Sequence, residues 1–425
     1  MEPVQITFVI GVFMLVSYML GKIPYGMTAI FCCLALDITG VLTPAEAWGG
    51  FGDKTVFLFA SVFILGAGLM KTDFISQIQT CINRIGNKDS KVRWICMAFA
   101  AVLSMLTSAT SSGATMIPMM SALCEGGNYR KSTVYKPVID VACMSFAMMP
   151  FGMGAAFIEQ GNSYLAIEGS AVRLNTFDSA IVRFPVMLLT MLFVGLIAYR
   201  FIPERKGAYS ENEKASVSGE CELSPLQNKL GKLIFFISIA AMILSSLLGI
   251  PSHYAPIAGS LAMVASGVLS GPQAFRAVDL NTVCIFGGSL SFSTAMVKTG
   301  IADWIADALI QITSQNLNES LLVAIFLLVP FVMTQFMGNI PVINLTMPIA
   351  AAVAINSGMN PTAIMVATIA GATLSIATPM AAGVQALIME PAGYKFADYL
   401  RAGLPTAFVY TILYVLWAPI IYPLY

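Results

Sequence analysis

Eight apolar runs, at about 4–21, 25–41, 55–71, 181–202, 231–249, 254–270, 282–298 and 399–421, come close to the length that crosses a bilayer. A hydrocarbon core about 30 Å thick takes about 20 apolar residues per helix. Two further stretches, 136–168 and 360–390, are apolar but interrupted, the first by Met149-Pro150-Phe151-Gly152-Met153-Gly154 and the second by Ala377-Thr378-Pro379-Met380. Proline and glycine at mid-membrane predict discontinuous helices, because the freed backbone groups must be satisfied inside the protein. Two more stretches, 92–123 and 319–356, carry a polar break and read as re-entrant hairpins. Only 10% of the 425 residues are charged, against about a quarter in a soluble domain. Lipid is therefore the solvent for most of this chain.

Several function classes fall away on composition. The formal net charge is zero, so no basic field draws nucleic acid. A single histidine, His253, excludes a His-based metal centre or a multi-His proton relay. Cys32, Cys33, Cys96, Cys143 and Cys284 sit in apolar runs without a Cys-x-x-Cys pair and read as small packing residues. The start Met1-Glu2-Pro3 lacks a basic region ahead of its apolar run, so that run reads as a first membrane helix rather than a cleaved signal. No cofactor is expected, and no nucleophile–base pair or paired carboxylates mark a membrane-embedded enzyme.

The sequence repeats at half its length. Thr55-Val56-Phe57-Leu58-Phe59 aligns with Thr282-Val283-Cys284-Ile285-Phe286, and at the same offset Met70-Lys71-Thr72 meets Val297-Lys298-Thr299. Each copy continues into an amphipathic segment (74–85; 301–312), a hairpin ending Thr115-Met116-Ile117-Pro118 or Leu345-Thr346-Met347-Pro348, a broken helix and a final span. Self-similarity at half-chain period is the mark of a transporter assembled from repeats. The expected fold is an all-α polytopic membrane protein of two inverted repeats, 1–202 and 230–425, joined by a hydrophilic linker at 203–229. Each repeat has five crossings, a re-entrant hairpin and a broken helix.

Charge orients this arrangement. With 71–93 and 203–232 placed in the cytoplasm, all but four of the 22 Lys and Arg residues fall inside; Lys54, Arg173, Arg183 and Lys298 fall outside. That bias predicts a multi-pass protein of the cell (inner) membrane with both termini extracytoplasmic. Lys71 and Lys298 read as interfacial anchors, Glu159 and Glu390 as boundary or solvated carboxylates, and Trp48, Tyr199 and Tyr422 as interface-belt aromatics.

The chemistry is expected at the hairpin tips. The first reads Ser104-Met105-Leu106-Thr107-Ser108-Ala109-Thr110-Ser111-Ser112-Gly113-Ala114, the second Thr334-Gln335-Phe336-Met337-Gly338-Asn339-Ile340-Pro341-Val342-Ile343-Asn344. A half-helix that starts in mid-membrane has up to four unpaired N–H groups and a partial positive charge. Two such ends facing each other hold an anion without arginine, while carbonyls at opposing C-terminal ends coordinate a cation such as Na⁺. Any one small or hydroxyl residue inside a membrane more often only permits close helix packing. The same polar break at matched positions of both halves favours a binding site.

At these tips the chain resembles the divalent anion:sodium symporter family of the ion transporter superfamily. That family carries Ser-Asn-Thr at each tip and a Gly/Thr-Pro break in the following helix. Thr334-Gln335-Phe336-Met337-Gly338-Asn339 is similar to its Thr-Glu-Phe-x-Ser-Asn run, Thr378-Pro379 and Pro150-Phe151-Gly152 to its breaks, and 394–403 to the approach to its final span. The resemblance runs through nearly the whole chain, with one N-terminal helix of the family missing. It implies a homodimer with a scaffold and a mobile transport domain moving elevator-fashion, and Na⁺-coupled uptake of di- or tricarboxylates, in some members sulfate. By matched position it implies one cation site at Ser104, Ser108 and Gly152 and a second at Thr334, Asn339 and Ala377. Substrate would lie among Ser108, Ala109, Thr110, Ser111, Gly338, Asn339, Ile340, Pro341, Thr378 and Pro379. Ala109 stands where the family has Asn, and Gly338 and Ile340 replace Ser and Thr. Proton-coupled or exchange transport of another oxyanion is the alternative within the same superfamily.

Overall fold

A computed structural model describes residues 2–20, 22–74, 77, 89–126, 131–203, 223–248, 253–301, 319–336 and 338–424. Nearly all of this is α-helix, and no strand occurs among the described residues. Inside lipid only a helix or a closed barrel satisfies its own backbone, so the apolar runs had one solution. The protein is an all-α polytopic membrane protein. The first half comprises α1 (Pro3–Leu20), α2 (Tyr25–Ile38), α3 (Pro44–Gly49), α4 (Lys54–Lys71), α5 (Asp89–Leu106), α6 (Ala109–Gly126), α7 (Lys131–Ser145), α8 (Gly152–Ile167) and α9 (Asp178–Leu196). The second comprises α10 (Pro225–Leu248), α11 (Tyr254–Ala265), α12 (Gly271–Ala277), α13 (Leu280–Thr299), α14 (Glu319–Thr334), α15 (Asn339–Asn356), α16 (Pro361–Thr373), α17 (Gly383–Leu387), α18 (Met389–Ala392) and α19 (Phe396–Ile421).

Helices α7 and α8 are separated at 146–151 and α16 and α17 at 374–382, while α5 and α6 are separated at 107–108 and α14 ends at Thr334 before α15 starts at Asn339. The runs at 25–41 and 254–270 give shorter helices than predicted. At about 1.5 Å per residue, α2 and α11 reach only about 21 and 18 Å, because Thr39-Gly40 and Ser266-Gly267 stop them. The glycines adopt positive φ, 72° and 74°, a region open to glycine at little cost. Apart from Phe74, Gln77 and Ile301, the amphipathic segments at 74–85 and 301–312 lie outside the described residues, as does most of the linker.

Packing between the halves is reciprocal. α2 lies against α13 and α11 against α4; α5 packs on α7 as α14 packs on α16. The short helices carry the same cap. Thr43 and Glu46 close a capping box on α3 with Pro44 in its first turn, and Ser270 and Gln273 do so on α12 with Pro272. Each box is held by a lysine of the other half: Lys298 Nζ lies 2.7 Å from Glu46 Oε2 and Lys71 Nζ 3.0 Å from Gln273 Oε1. These two lysines thus join the halves as well as marking helix ends. At another exposed end, Lys232 Nζ sits 2.6 Å from Asp73 Oδ1 and holds that carboxyl below its usual range.

Small residues let helices close up without any hydrophobic force between them. Gly371 of α16 is such a point: a Cβ there would stand 2.0 Å from the Leu327 carbonyl oxygen of α14. Gly371→Ala must therefore push hairpin and broken helix apart. A cost of about 1–3 kcal/mol is expected, read as a lowered melting temperature of the purified protein in detergent. An unchanged melt would show that α14 and α16 separate freely.

Several charges that the sequence reading counted by side of the membrane, and an aspartate beside one of them, are buried. Lys136 and Asp140 are 1% exposed within α7, Arg183 is fully buried in α9, and Arg93 is 7% exposed in α5. Their placement follows from partners. Lys136 Nζ bonds Asp140 Oδ1 and the Ile376 carbonyl; Arg93 donates to the Gly195 carbonyl and lies over the Tyr199 ring. Tyr199 is thus a cation–π partner as well as an interfacial ring. Tyr422 donates to Asp178 at 2.8 Å, Trp48 to Asp37 at 3.0 Å, and Glu159 lies 3.6 Å from Lys54. The Glu390 side chain lies outside the described residues.

Candidate substrate and cation site

The first tip is shaped by one hydroxyl. Ser108 precedes α6, and its Oγ accepts from the Ser111 backbone N–H at 3.1 Å, an N-cap contact. The same Oγ is 3.1 Å from Ser111 Oγ. At the second tip Gly338 holds the N-cap position of α15 without a side-chain cap. Thr334 Oγ1 instead reaches across the turn and donates to Asn339 Oδ1 at 2.9 Å. That bond uses the acceptor end of the Asn339 amide and leaves its two N–H donors for the adjacent space.

That space is a cavity of about 390 Å³ in which the two tips meet. Ser108, Ala109 and Thr110 line one side and Gly338, Asn339, Ile340 and Pro341 another, with Ala381, Ala382 and Gly383 from the second break between them. Helices α6, α8 and α15 all begin at or next to this lining. Three N-terminal ends, each with partial positive charge, thus border one volume. Among the described residues no lysine or arginine lines it, and the one charged residue that does is Asp279, exposed at the start of α13. Such a cavity favours an anion through peptide dipoles and neutral donors.

Other expected site residues lie elsewhere. Ser104 is fully buried, and its Oγ donates to the Ala142 carbonyl at 2.6 Å, stitching α5 to α7. Ser111 stands behind Ser108. Thr378 and Pro379 are buried under the second tip, with Thr378 Oγ1 donating to the Gln335 carbonyl at 2.5 Å. Gly152 has φ 58°, and from where its Cβ would stand the carbonyl oxygens of Met105 and Leu106 are 3.8 and 4.0 Å away. Gly152 therefore faces the C-terminal end of α5 at the first tip. Thr334, Asn339 and Ala377 are drawn together through Gln335, whose Oε1 accepts from the Ala377 N–H at 2.9 Å.

The breaks have partners the sequence reading did not assign. Arg183 donates to the carbonyls of Ala147, Met144 and Phe146 at 2.9, 3.2 and 3.0 Å and to Thr373 Oγ1 at 2.7 Å. A guanidinium thus caps the negative end of α7. On the far wall of the cavity, Asn281 Oδ1 accepts from the Gly26 N–H at 2.7 Å and ties the start of α13 to that of α2, beside Tyr25. Deeper in, Gln160 donates to Asn344 Oδ1, which also accepts from Ser289 Oγ at 2.5 Å. Among the described residues no His, Cys, Asp and Glu gather as metal ligands.

The family model described as citrate transporter (CitMHS) matches residues 13–371 and, in a second alignment, 257–423. The chain belongs to the citrate transporter family. Membership makes it a membrane transporter rather than an enzyme, in keeping with the opposed hairpins. Among curated relatives of this citrate transporter family chain, an uncharacterized transporter of Synechocystis is 29% identical over 204 residues, 47% of this chain and 33% of that protein. The chain therefore aligns with only a third of that relative's length. A sodium-dependent dicarboxylate transporter, SdcS, of Staphylococcus saprophyticus is 21% identical over 404 residues, covering 86% of this chain and 76% of its own. Among solved structures, MtrF of Neisseria gonorrhoeae, described with a class of antimetabolite efflux pumps, superposes with a TM-score of 0.65 at 13% identity. That match covers 99% of this chain and 95% of MtrF, and it shows a shared fold.

Proposed function

We propose that this transporter moves small di- or tricarboxylate anions, coupled to Na⁺, by an elevator-type motion. The observation that carries the reading is the meeting of two neutral hairpin tips in one cavity that, among the described residues, holds no basic side chain. A carboxylate there takes hydrogen bonds from the ends of α6 and α15 and from Ser108, Thr110 and Asn339. Two or three negative charges held by dipoles alone need a counter-charge, which is the physical reason for a co-transported cation. Na⁺ at the first tip, among Ser108, Gly152 and the end of α5, supplies it beside the substrate. The sodium-dependent dicarboxylate transporter among the relatives agrees with this pairing.

In this reading residues 1–202 and 230–425 are inverted repeats, and the linker at 203–229 is cytoplasmic with both termini outside. The reciprocal packing of α2 on α13 and α11 on α4 is what a two-fold axis in the membrane plane produces. Hairpins and broken helices form the moving unit, and two copies associate through the scaffold.

The test is flux. Purified protein in proteoliposomes should take up labelled succinate, malate, citrate or sulfate, at a rate raised severalfold by an inward Na⁺ gradient. Uptake driven by a proton gradient alone would replace Na⁺ as the coupling ion. Absence of gradient-dependent flux for every anion in that panel would remove the reading.

A further inference from the structure

The one charge on the cavity lining has the same sign as the expected substrate. Asp279 holds the N-cap of α13, where Oδ1 accepts from the Asn281 N–H at 3.0 Å and Oδ2 from the Thr282 hydroxyl. These contacts fix the carboxylate on the wall that Tyr25 and Asn281 also form. Among the described residues no lysine or arginine pairs with it. Resting on the substrate reading above, we propose that Asp279 is a specificity-determining residue that holds the net charge of the accepted anion near one.

Capping alone does not call for an acid. Asparagine and serine cap a helix about as well, and in a cavity for anions they would do so without repulsion. The matching place in the other half is furnished differently. Asp53 stands directly before α4 as Asp279 stands before α13, but there Lys54 follows it and Arg173 lines the same cavity of about 490 Å³. Leu280 follows Asp279, so its field acts on the substrate space without a neighbouring cation. The balance then follows from the helix ends. The starts of α6, α8 and α15 offer about half a positive charge each. Asp279 takes away a full charge, of which the start of α13 returns about half. About one net positive charge remains, which suits one carboxylate. A second carboxylate on the same molecule has to arrive with its own cation or proton, and a co-transported Na⁺ meets that need.

Asp279→Asn tests this, because asparagine keeps the cap and the shape and removes the charge. The measurement is competition in proteoliposomes, at fixed Na⁺ and about pH 8, against uptake of whichever anion of the panel the protein carries. The competitors are succinate and its monoamide, succinamate, which share a chain length and differ by one charge at that pH. In the variant the ratio of their half-inhibiting concentrations should move in favour of succinate by about threefold to tenfold. On the wild type, added choline chloride should move the ratio the same way, since 0.1 M salt screens an exposed charge within about 10 Å. An unchanged ratio in a variant that melts normally overturns the inference and leaves the substrate reading standing. A wild-type ratio indifferent to salt overturns it as well, and needs no variant to fold. Wild-type protein that carries no anion of the panel removes the substrate reading itself, and this inference with it.

Discussion

Arg183→Leu is expected to destabilise the protein by about 3–5 kcal/mol, the range for removing one partner of a buried charged network. The guanidinium holds the carbonyls of Met144, Phe146 and Ala147 and the hydroxyl of Thr373, all away from water. Leucine leaves those oxygens without donors, and each orphaned buried group costs about 1–3 kcal/mol before relaxation. Arg183→Lys keeps the charge but not the planar fork, so it should recover only part of the loss. Size-exclusion profiles and melting curves in detergent read both variants. A wild-type melt for Arg183→Leu would mean that the broken end of α7 finds other donors.

Asn339→Ala is expected to slow transport about 10- to 100-fold at fixed gradient while leaving the melt near that of the wild type. A hydrogen bond to a charged partner is worth about 1.5–3 kcal/mol, and every 1.4 kcal/mol is tenfold in affinity. Asn339 is partly buried in the cavity lining, and its side-chain oxygen accepts from the Thr334 hydroxyl. Alanine therefore removes donors from the cavity without opening the core. Initial uptake rates measured beside melting curves separate the two effects. Unaltered kinetics would take the second tip out of the substrate site.

Much of this architecture is legible in one dimension because lipid permits so few solutions. The length of an apolar run fixes a helix, a Pro/Gly interruption fixes a break, and a polar patch inside a span fixes a hairpin tip. Ser108 and Asn339, 231 positions apart in the numbering, line one cavity. What was hidden are contacts between unlike positions of the two halves. Arg183 and Thr373 are 190 residues apart, and Lys136 and Ile376 are 240 apart, with no shared pattern to link them. The spacing of Lys136 and Asp140 at i, i+4 was visible, and on a helix it puts both side chains on one face. Counting Lys136 only as a charge on the inner side passed over that pairing. Ser104 shows the opposite error: a hydroxyl in a matching motif position serves to join two helices.

The exchanged lysine contacts bear on how the chain is made. Lys71 finds Gln273, and α2 finds α13, only after more than two hundred further residues have left the ribosome. Until then the N-terminal portion sits in the bilayer with its packing faces bare, a span of synthesis in which translocon-associated chaperones and membrane proteases have their best access.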